Sequence, residues 1–167
     1  IVNNPKPVIA EVAGIATAAG CQLVASCDLA YASKTAKFAT PGVNIGLFCS
    51  TPMVAVSRNV SNKNSMEMLL NGELISSDKA EKIGLINKSV EDSELKKHTL
   101  EIALKISKKS PKVLKIGKEA FYNQIDMTLS EAYNYASQVM VENMLNLDAK
   151  EGILSLIHIS EPTRPLT

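Results

Sequence analysis

Neither sign of charge dominates this sequence: 18 lysines and arginines stand against 17 aspartates and glutamates, for a formal net charge of +1. With the two signs interspersed, the chain lacks the electrostatic footprint that draws a protein to phosphate backbones or anionic lipid. Nucleic acid is therefore not an expected partner, and a small molecule is. No apolar run approaches the roughly 20 residues that cross a bilayer, so no membrane span is expected. Metal-ligand patterns are missing too. Cys21, Cys27 and Cys49 are an odd number at no ligand spacing, and His98 and His158 stand apart from each other and from other ligand types. The expectation is a reducing compartment, free thiols and no metal.

What is present suffices for a core. Of 167 residues, 46% are hydrophobic and 21% charged, the balance of one soluble globular domain. The ends read differently. Ile1 opens the chain without methionine, and a buried strand follows within a few residues, so an upstream segment, targeting peptide included, is expected to precede it. At the other end, Leu154 to Arg164 resembles the reading-frame translation of a transposase adapter used in DNA library preparation. Residues 154–167 are therefore expected to be a non-native tail, which removes His158 from any catalytic argument.

Periodicity places the elements. Val8 to Val12 is a β-branched run entered through Pro5 and Pro7 and closed by Gly14, as in a core strand. Ala18 to Ala25 favours a short helix, and Cys27 to Ala32 returns to alternation, giving a strand-turn-helix-strand unit. Phe38 to Phe48, with Pro41, Gly42 and Gly46, reads as loop with a brief extended stretch, and a helix follows from about Pro52 to Asn59. Ser76, Ser77 and Asp78 offer caps for a helix ending at Gly84, after which Leu85 to Val90 reads as a strand. Leu95, Thr99, Ile102, Ala103 and Ile106 form one apolar helix face, and Leu129, Ala132, Tyr133, Ala136, Met140, Met144 and Leu147 form a longer one.

One segment suggests chemistry. In Gly14-Ile15-Ala16-Thr17-Ala18-Ala19-Gly20-Cys21, small residues crowd a strand-to-helix junction, where unpaired N–H groups and the positive end of the helix dipole face outward. An oxygen bearing developing negative charge gains from donors held ready in a water-poor place. Close packing alone also selects small residues at such a turn, so the motif by itself leaves both readings open.

The wider pattern narrows them. Lys6-Pro7-Val8-Ile9-Ala10, Gly14, Ala19-Gly20-Cys21, Cys27-Asp28, Phe38, Pro41 and Gly46, then Met66 to Gly72, Ile75-Ser76, Ala80, Gly84-Leu85, Lys118-Glu119 and Glu151-Gly152-Ile153, resemble the enoyl-CoA hydratase/isomerase (crotonase) family over about 150 residues. The resemblance implies an α/β fold, a ClpP-like spiral of ββα units with a helical C-terminal region, assembled as trimers or hexamers around acyl-CoA thioesters. Residues 1–90 would be the later part of the spiral core and 91–153 a helical trimerisation or lid region. Coenzyme A enters as part of the substrate, and no other cofactor is implied. Ala19 falls where the family's backbone donor to the thioester carbonyl sits, with the second donor upstream of Ile1. Ala16, Thr17, Ala18, Gly20, Cys49, Ser50 and Lys118 are the expected substrate contacts, and Thr40 and Thr51 could line the same pocket.

The family's hydratases use two glutamates to hold and activate a water, and here those positions carry Gln22 and Gly42. Glutamine can orient a water but cannot take its proton, and glycine has no side chain to offer. The acid that some isomerases use falls near Ser50. The departures match one subgroup of the family and are expected to be a property of it. Restoring both glutamates should return activity if the surrounding geometry is intact. Cys49 reads either as a nucleophile or as a pocket-filling thiol, with no basic neighbour to activate it. Asp28 reads as a structural acceptor, and Lys118 as a coenzyme contact or a solvated lysine. The expected function is acyl-CoA binding in fatty-acid metabolism, in the mitochondrial matrix of a eukaryote or the cytoplasm of a bacterium. Three forms of it stay open: an enzyme with an unusual proton route, an acyl-CoA-binding regulator, and a structural subunit.

Overall fold

The computed structural model describes residues 1–160, in two compact units, Ile1–Lys108 and Lys109 onward. In the first, β1 (Ile9–Val12) and β2 (Ile15–Thr17) lead into helix α1 (Ala19–Ser26), and β3 (Leu29–Ser33) and β4 (Lys37–Ala39) lead into a 3₁₀ helix (Pro41–Ile45). Then come α2 (Ser50–Ser57), α3 (Asn62–Asn71), β5 (Ile75–Ser76), α4 (Ser77–Lys82), β6 (Lys88–Val90) and α5 (Leu95–Ser107).

The strands sort into two three-stranded sheets, β1-β3-β6 and β2-β4-β5. β1 and β6 each run parallel to β3, with Ile9 opposite Leu29 and Tyr31 opposite Lys88. β2 runs parallel to β4, with Ile15 opposite Lys37, while β5 is antiparallel to β4. The first two passes of the chain each lay one strand on each sheet and return through helices, as parallel pairing demands, and the third adds β5 to the second sheet and then β6 to the first. That is the ββα spiral of the crotonase fold, with the helical region after it.

Strand entries are fixed by paired hydrogen bonds. The Val8 N–H donates to Asp28 Oδ2 at 2.6 Å while the Asp28 N–H donates to the Val8 carbonyl at 3.0 Å. Asn87 does the same for β6: its Oδ1 accepts the Ala30 N–H at 2.7 Å, and its own N–H donates to the Ala30 carbonyl at 2.8 Å. Asp28 is thus a structural acceptor, as its sequence position suggests. The core gathers Val12, Val24, Ala30, Ala32, Val56, Met68 and Leu85 around Phe38, which is wholly buried. Alanines on β3 let helices approach the sheet closely. Two expectations shift here. Cys27 and Asp28 belong to the turn before β3, and Leu85 and Ile86 are buried in the turn after Gly84 (φ 84°), ahead of β6.

The second unit holds α6 (Pro111–Gln124), α7 (Leu129–Met144) and α8 (Leu147–Ser160). The Ser110 hydroxyl caps α6 by accepting the Val113 N–H at 3.3 Å, with Pro111 at the first turn. A capping box opens α7: the Glu131 N–H donates to Thr128 Oγ1 at 3.5 Å and the Thr128 N–H to Glu131 Oε2 at 3.0 Å. The Thr128 hydroxyl holds the Glu131 carboxyl below the usual carboxylate range. α8 continues past Leu154, where the non-native tail is expected to begin; the rest of that tail, 161–167, lies outside the described residues. Among the described residues no helix is long and apolar enough to cross a membrane.

Candidate active site

The turn into α1 has an unusual backbone. Ala18 has φ 47° and ψ −113°, the one non-glycine residue with positive φ among those described. Such a conformation costs of the order of 1–3 kcal/mol and persists only where the surroundings hold it. Here β2 fixes one side and α1 the other, and the Ala18 N–H is tied to the Ala39 carbonyl of β4 at 3.0 Å. The Ala18 carbonyl accepts the Gln22 N–H at 3.0 Å, which begins the helix. No side chain caps α1, so its leading N–H groups have no helical acceptor and are open to a ligand. Ala19, the residue whose N–H leads them, is exposed. A Cβ added to Gly20 would stand 3.8 Å from the Ala16 Cβ, an ordinary contact, so packing at this turn does not by itself demand a glycine there.

A few residues on, the chain closes around Gly42. Gly46, with φ 76°, turns it back, and the Leu47 N–H bonds the Gly42 carbonyl at 2.9 Å. The Gly42 N–H points at Cys49 Sγ, 3.3 Å away. A Cβ added to Gly42 would lie 2.6 Å from the Leu47 carbonyl oxygen and 2.9 Å from Cys49 Sγ. The place is occupied, so restoring a glutamate there requires the segment to move. Cys49 is buried and fills this space, the second of the two readings given for it. Cys21, wholly buried on α1, has its thiol pushed up to about 12, by burial first and then by the charge of Cys49. It stays protonated at neutral pH and is no nucleophile.

The remaining expected contacts lie on several elements. Thr17 is half-buried at the end of β2, and Gln22 is half-buried on α1. Ser50 is exposed at the start of α2, its hydroxyl donating to the Phe48 carbonyl at 3.3 Å. Lys118 is half-buried on α6 of the second unit, near an edge-on Phe121–Tyr122 pair. Thr40 adds a feature that sequence leaves hidden. It is fully buried, and its hydroxyl has no partner among the described residues. Leaving a buried hydroxyl unsatisfied costs about 1–3 kcal/mol.

The enoyl-CoA hydratase/isomerase family model matches residues 1–162 of this chain. The chain belongs to that family. It is 54% identical over 158 residues to the mitochondrial enoyl-CoA hydratase domain-containing protein 3 of Xenopus laevis, covering 95% of this chain and 54% of the relative. A crystal structure of the human domain-containing protein 3 superposes with a TM-score of 0.92 at 51% identity, over 98% of this chain and 65% of that one. An enoyl-CoA hydratase of Mycobacterium smegmatis superposes with a TM-score of 0.94 at 46% identity, over 97% of this chain and 63% of that one. The chain thus spans about half the length of the curated relatives it matches. The subgroup expected from the sequence is the one these domain-containing proteins form.

Proposed function

We propose that this chain carries the helix-side half of an acyl-CoA site, in which the Ala19 N–H hydrogen-bonds the thioester carbonyl. The observation that carries this reading is the strained turn at Ala18, which leaves the start of α1 uncapped and Ala19 exposed. A donor fixed before the ligand arrives needs no reorganisation, so it favours an enolate oxygen over a ground-state carbonyl. A second donor is assigned upstream, by resemblance to the family. Coenzyme A is part of the substrate, and no further cofactor is needed.

Conventional hydration of a 2-enoyl-CoA is slow in this proposal. Gln22 can hold a water without deprotonating it, and Gly42 adds nothing from within its closed segment. An enzyme of the family with another proton route is therefore the first reading. An acyl-CoA-binding regulator without turnover is the second, favoured by the space at Gly42 being filled. The protein acts as a homotrimer or hexamer in fatty-acid metabolism. Its setting is the mitochondrial matrix in a eukaryote, a reading supported by the word mitochondrial in the names of its relatives, or the cytoplasm in a bacterium.

Calorimetry and turnover assays on the full-length protein with a panel of acyl-CoA thioesters test this. Saturable binding with little or no hydration is expected. Absence of binding to every thioester up to millimolar ligand overturns it.

A further inference from the structure

We propose that Asn44 is a latch: its side-chain amide, bonded to the end of α3, holds residues 42–48 closed against Cys49, and without it this segment opens while the rest of the fold stays intact. The role goes beyond the acyl-thioester reading and does not depend on it.

Most of what closes the segment lies within it. The Leu47 N–H bonds the Gly42 carbonyl at 2.9 Å, the Gly46 N–H the Val43 carbonyl at 3.4 Å, and the Gly42 N–H the Cys49 thiol at 3.3 Å. Burial adds little on the outer side, where Ile45, Leu47 and Phe48 are 76%, 63% and 42% exposed. A stretch with few buried apolar contacts is the kind that opens locally, at a lower cost than global unfolding.

Among the described residues, one hydrogen bond ties 42–48 to a distant part of the chain. Asn44 Nδ2 donates to the Gly72 carbonyl at 3.2 Å. Gly72 is suited to receive it. It ends α3 in the left-handed region, φ 62°, with its own N–H on the Met68 carbonyl at 3.1 Å. A Cβ there would lie 2.9 Å from Val43 Cγ2 and 3.1 Å from Asn44 Nδ2, so a side chain at 72 would push the segment away. Carbonyls at the end of a helix lack helical donors and carry partial negative charge, which favours an amide N–H and repels a carboxylate. The latch therefore needs a donor at position 44, and a side chain of the same size without one does not serve.

The test alkylates the full-length protein under native conditions and follows each cysteine by peptide mass spectrometry, in wild type, Asn44→Ala and Asn44→Asp. Cys49, buried against Gly42, reports opening of the segment, and Cys21, wholly buried on α1, reports wider unfolding. In wild type, Cys49 should label faster than Cys21. Its rate should be nearly constant in low urea, because local opening exposes little surface, whereas that of Cys21 should climb. Both variants should raise the Cys49 rate by about 2- to 10-fold, the range of one neutral hydrogen bond, and keep it insensitive to low urea. Asn44→Asp, which keeps the shape and loses the donor, should open the segment at least as much as Asn44→Ala. Equal rates and equal urea dependence at Cys49 and Cys21 would mean that the segment opens by global unfolding, which overturns the proposal. So would an unchanged Cys49 rate in both variants, or a wild-type rate in Asn44→Asp, which would leave packing and not the hydrogen bond in charge. No outcome involves acyl-CoA, so the reading of the turn into α1 stands or falls separately.

Discussion

Gln22 and Gly42 occupy the two positions where the family's hydratases, by resemblance, carry glutamates, and the surrounding structure treats them very differently. Gln22 is half-buried on α1, keeps the length of a glutamate, and sits in a helix whose start is held by β2 and β4. Replacing carboxylate by amide there changes chemistry and leaves shape alone. At Gly42 shape is involved as well: the Leu47 carbonyl and the Cys49 thiol stand where a side chain would begin. One position lacks a proton acceptor and the other lacks the room for one. A single substitution can reverse the first loss, whereas the second is written into a segment of about eight residues, 42–49.

The largest effect expected from this contrast is on rate. Each positioned acid or base is worth roughly 10²–10⁴-fold, and both are missing. Steady-state hydration of a 2-enoyl-CoA by the full-length protein should therefore fall several orders of magnitude below that of a relative bearing both glutamates. A turnover number in the ordinary enzyme range would break the comparison outright. Next comes the steric test. Gly42→Ala should destabilise the fold by about 1–3 kcal/mol, the range for overpacking a tight interior, and Gly42→Glu by more, seen as a lowered denaturation midpoint. It follows that Gln22→Glu with Gly42→Glu does not restore hydration, because the condition of an intact surrounding geometry is not met at Gly42. Recovery of activity in that double variant, with an unchanged midpoint, would show that the segment opens easily.

A third effect reports on the packing between the two positions. Burial and Cys49 raise the Cys21 thiol from its ordinary 9.0 to about 12. A group whose folded pKa lies above the unfolded one contributes stability that is fully present below the unfolded value and is lost as pH rises toward the folded one. Stability should therefore fall between about pH 9 and pH 12, with Cys21 contributing up to about 1.4 kcal/mol per pH unit. Denaturation at stepped pH, compared with Cys21→Ala, isolates that slope. An identical slope in both proteins would mean that Cys21 is not held as a neutral thiol.

How far the sequence carried the fold depended on the range of the signal. Helices with caps or long apolar faces, such as α4 and α5, could be read from Ser76, Gly84 and the Leu95–Ile106 spacing. The family pattern supplied the spiral that no local signal encodes. β2 and β5, of three and two residues, are too short for alternation to register, and Ile15–Thr17 resembles part of a small-residue turn. At the site, the absent carboxylates at 22 and 42 were legible as letters. The closure around Gly42 was not, because it depends on a thiol seven residues away folding back onto one N–H. Thr40 was visible only as one more hydroxyl near the pocket. Its lack of a partner emerges from the fold.

The smallest expected effect is the most direct check on the other half of the comparison. Gln22→Glu keeps side-chain length and adds a charge at the fourth residue of α1. The uncapped positive end of the helix favours that charge by about 0.3–1 kcal/mol, against a partial desolvation of the half-buried carboxylate. These oppose each other, so stability should change by no more than about 0.5 kcal/mol. The denaturation midpoint should be nearly that of wild type, in contrast to Gly42→Ala. Hydration should stay far below that of a two-glutamate relative, because one carboxylate supplies only one of the two proton roles. If Gln22→Glu proved as destabilising as Gly42→Ala, position 22 would be as closed as position 42. The distinction between a loss of chemistry and a loss of room would then disappear.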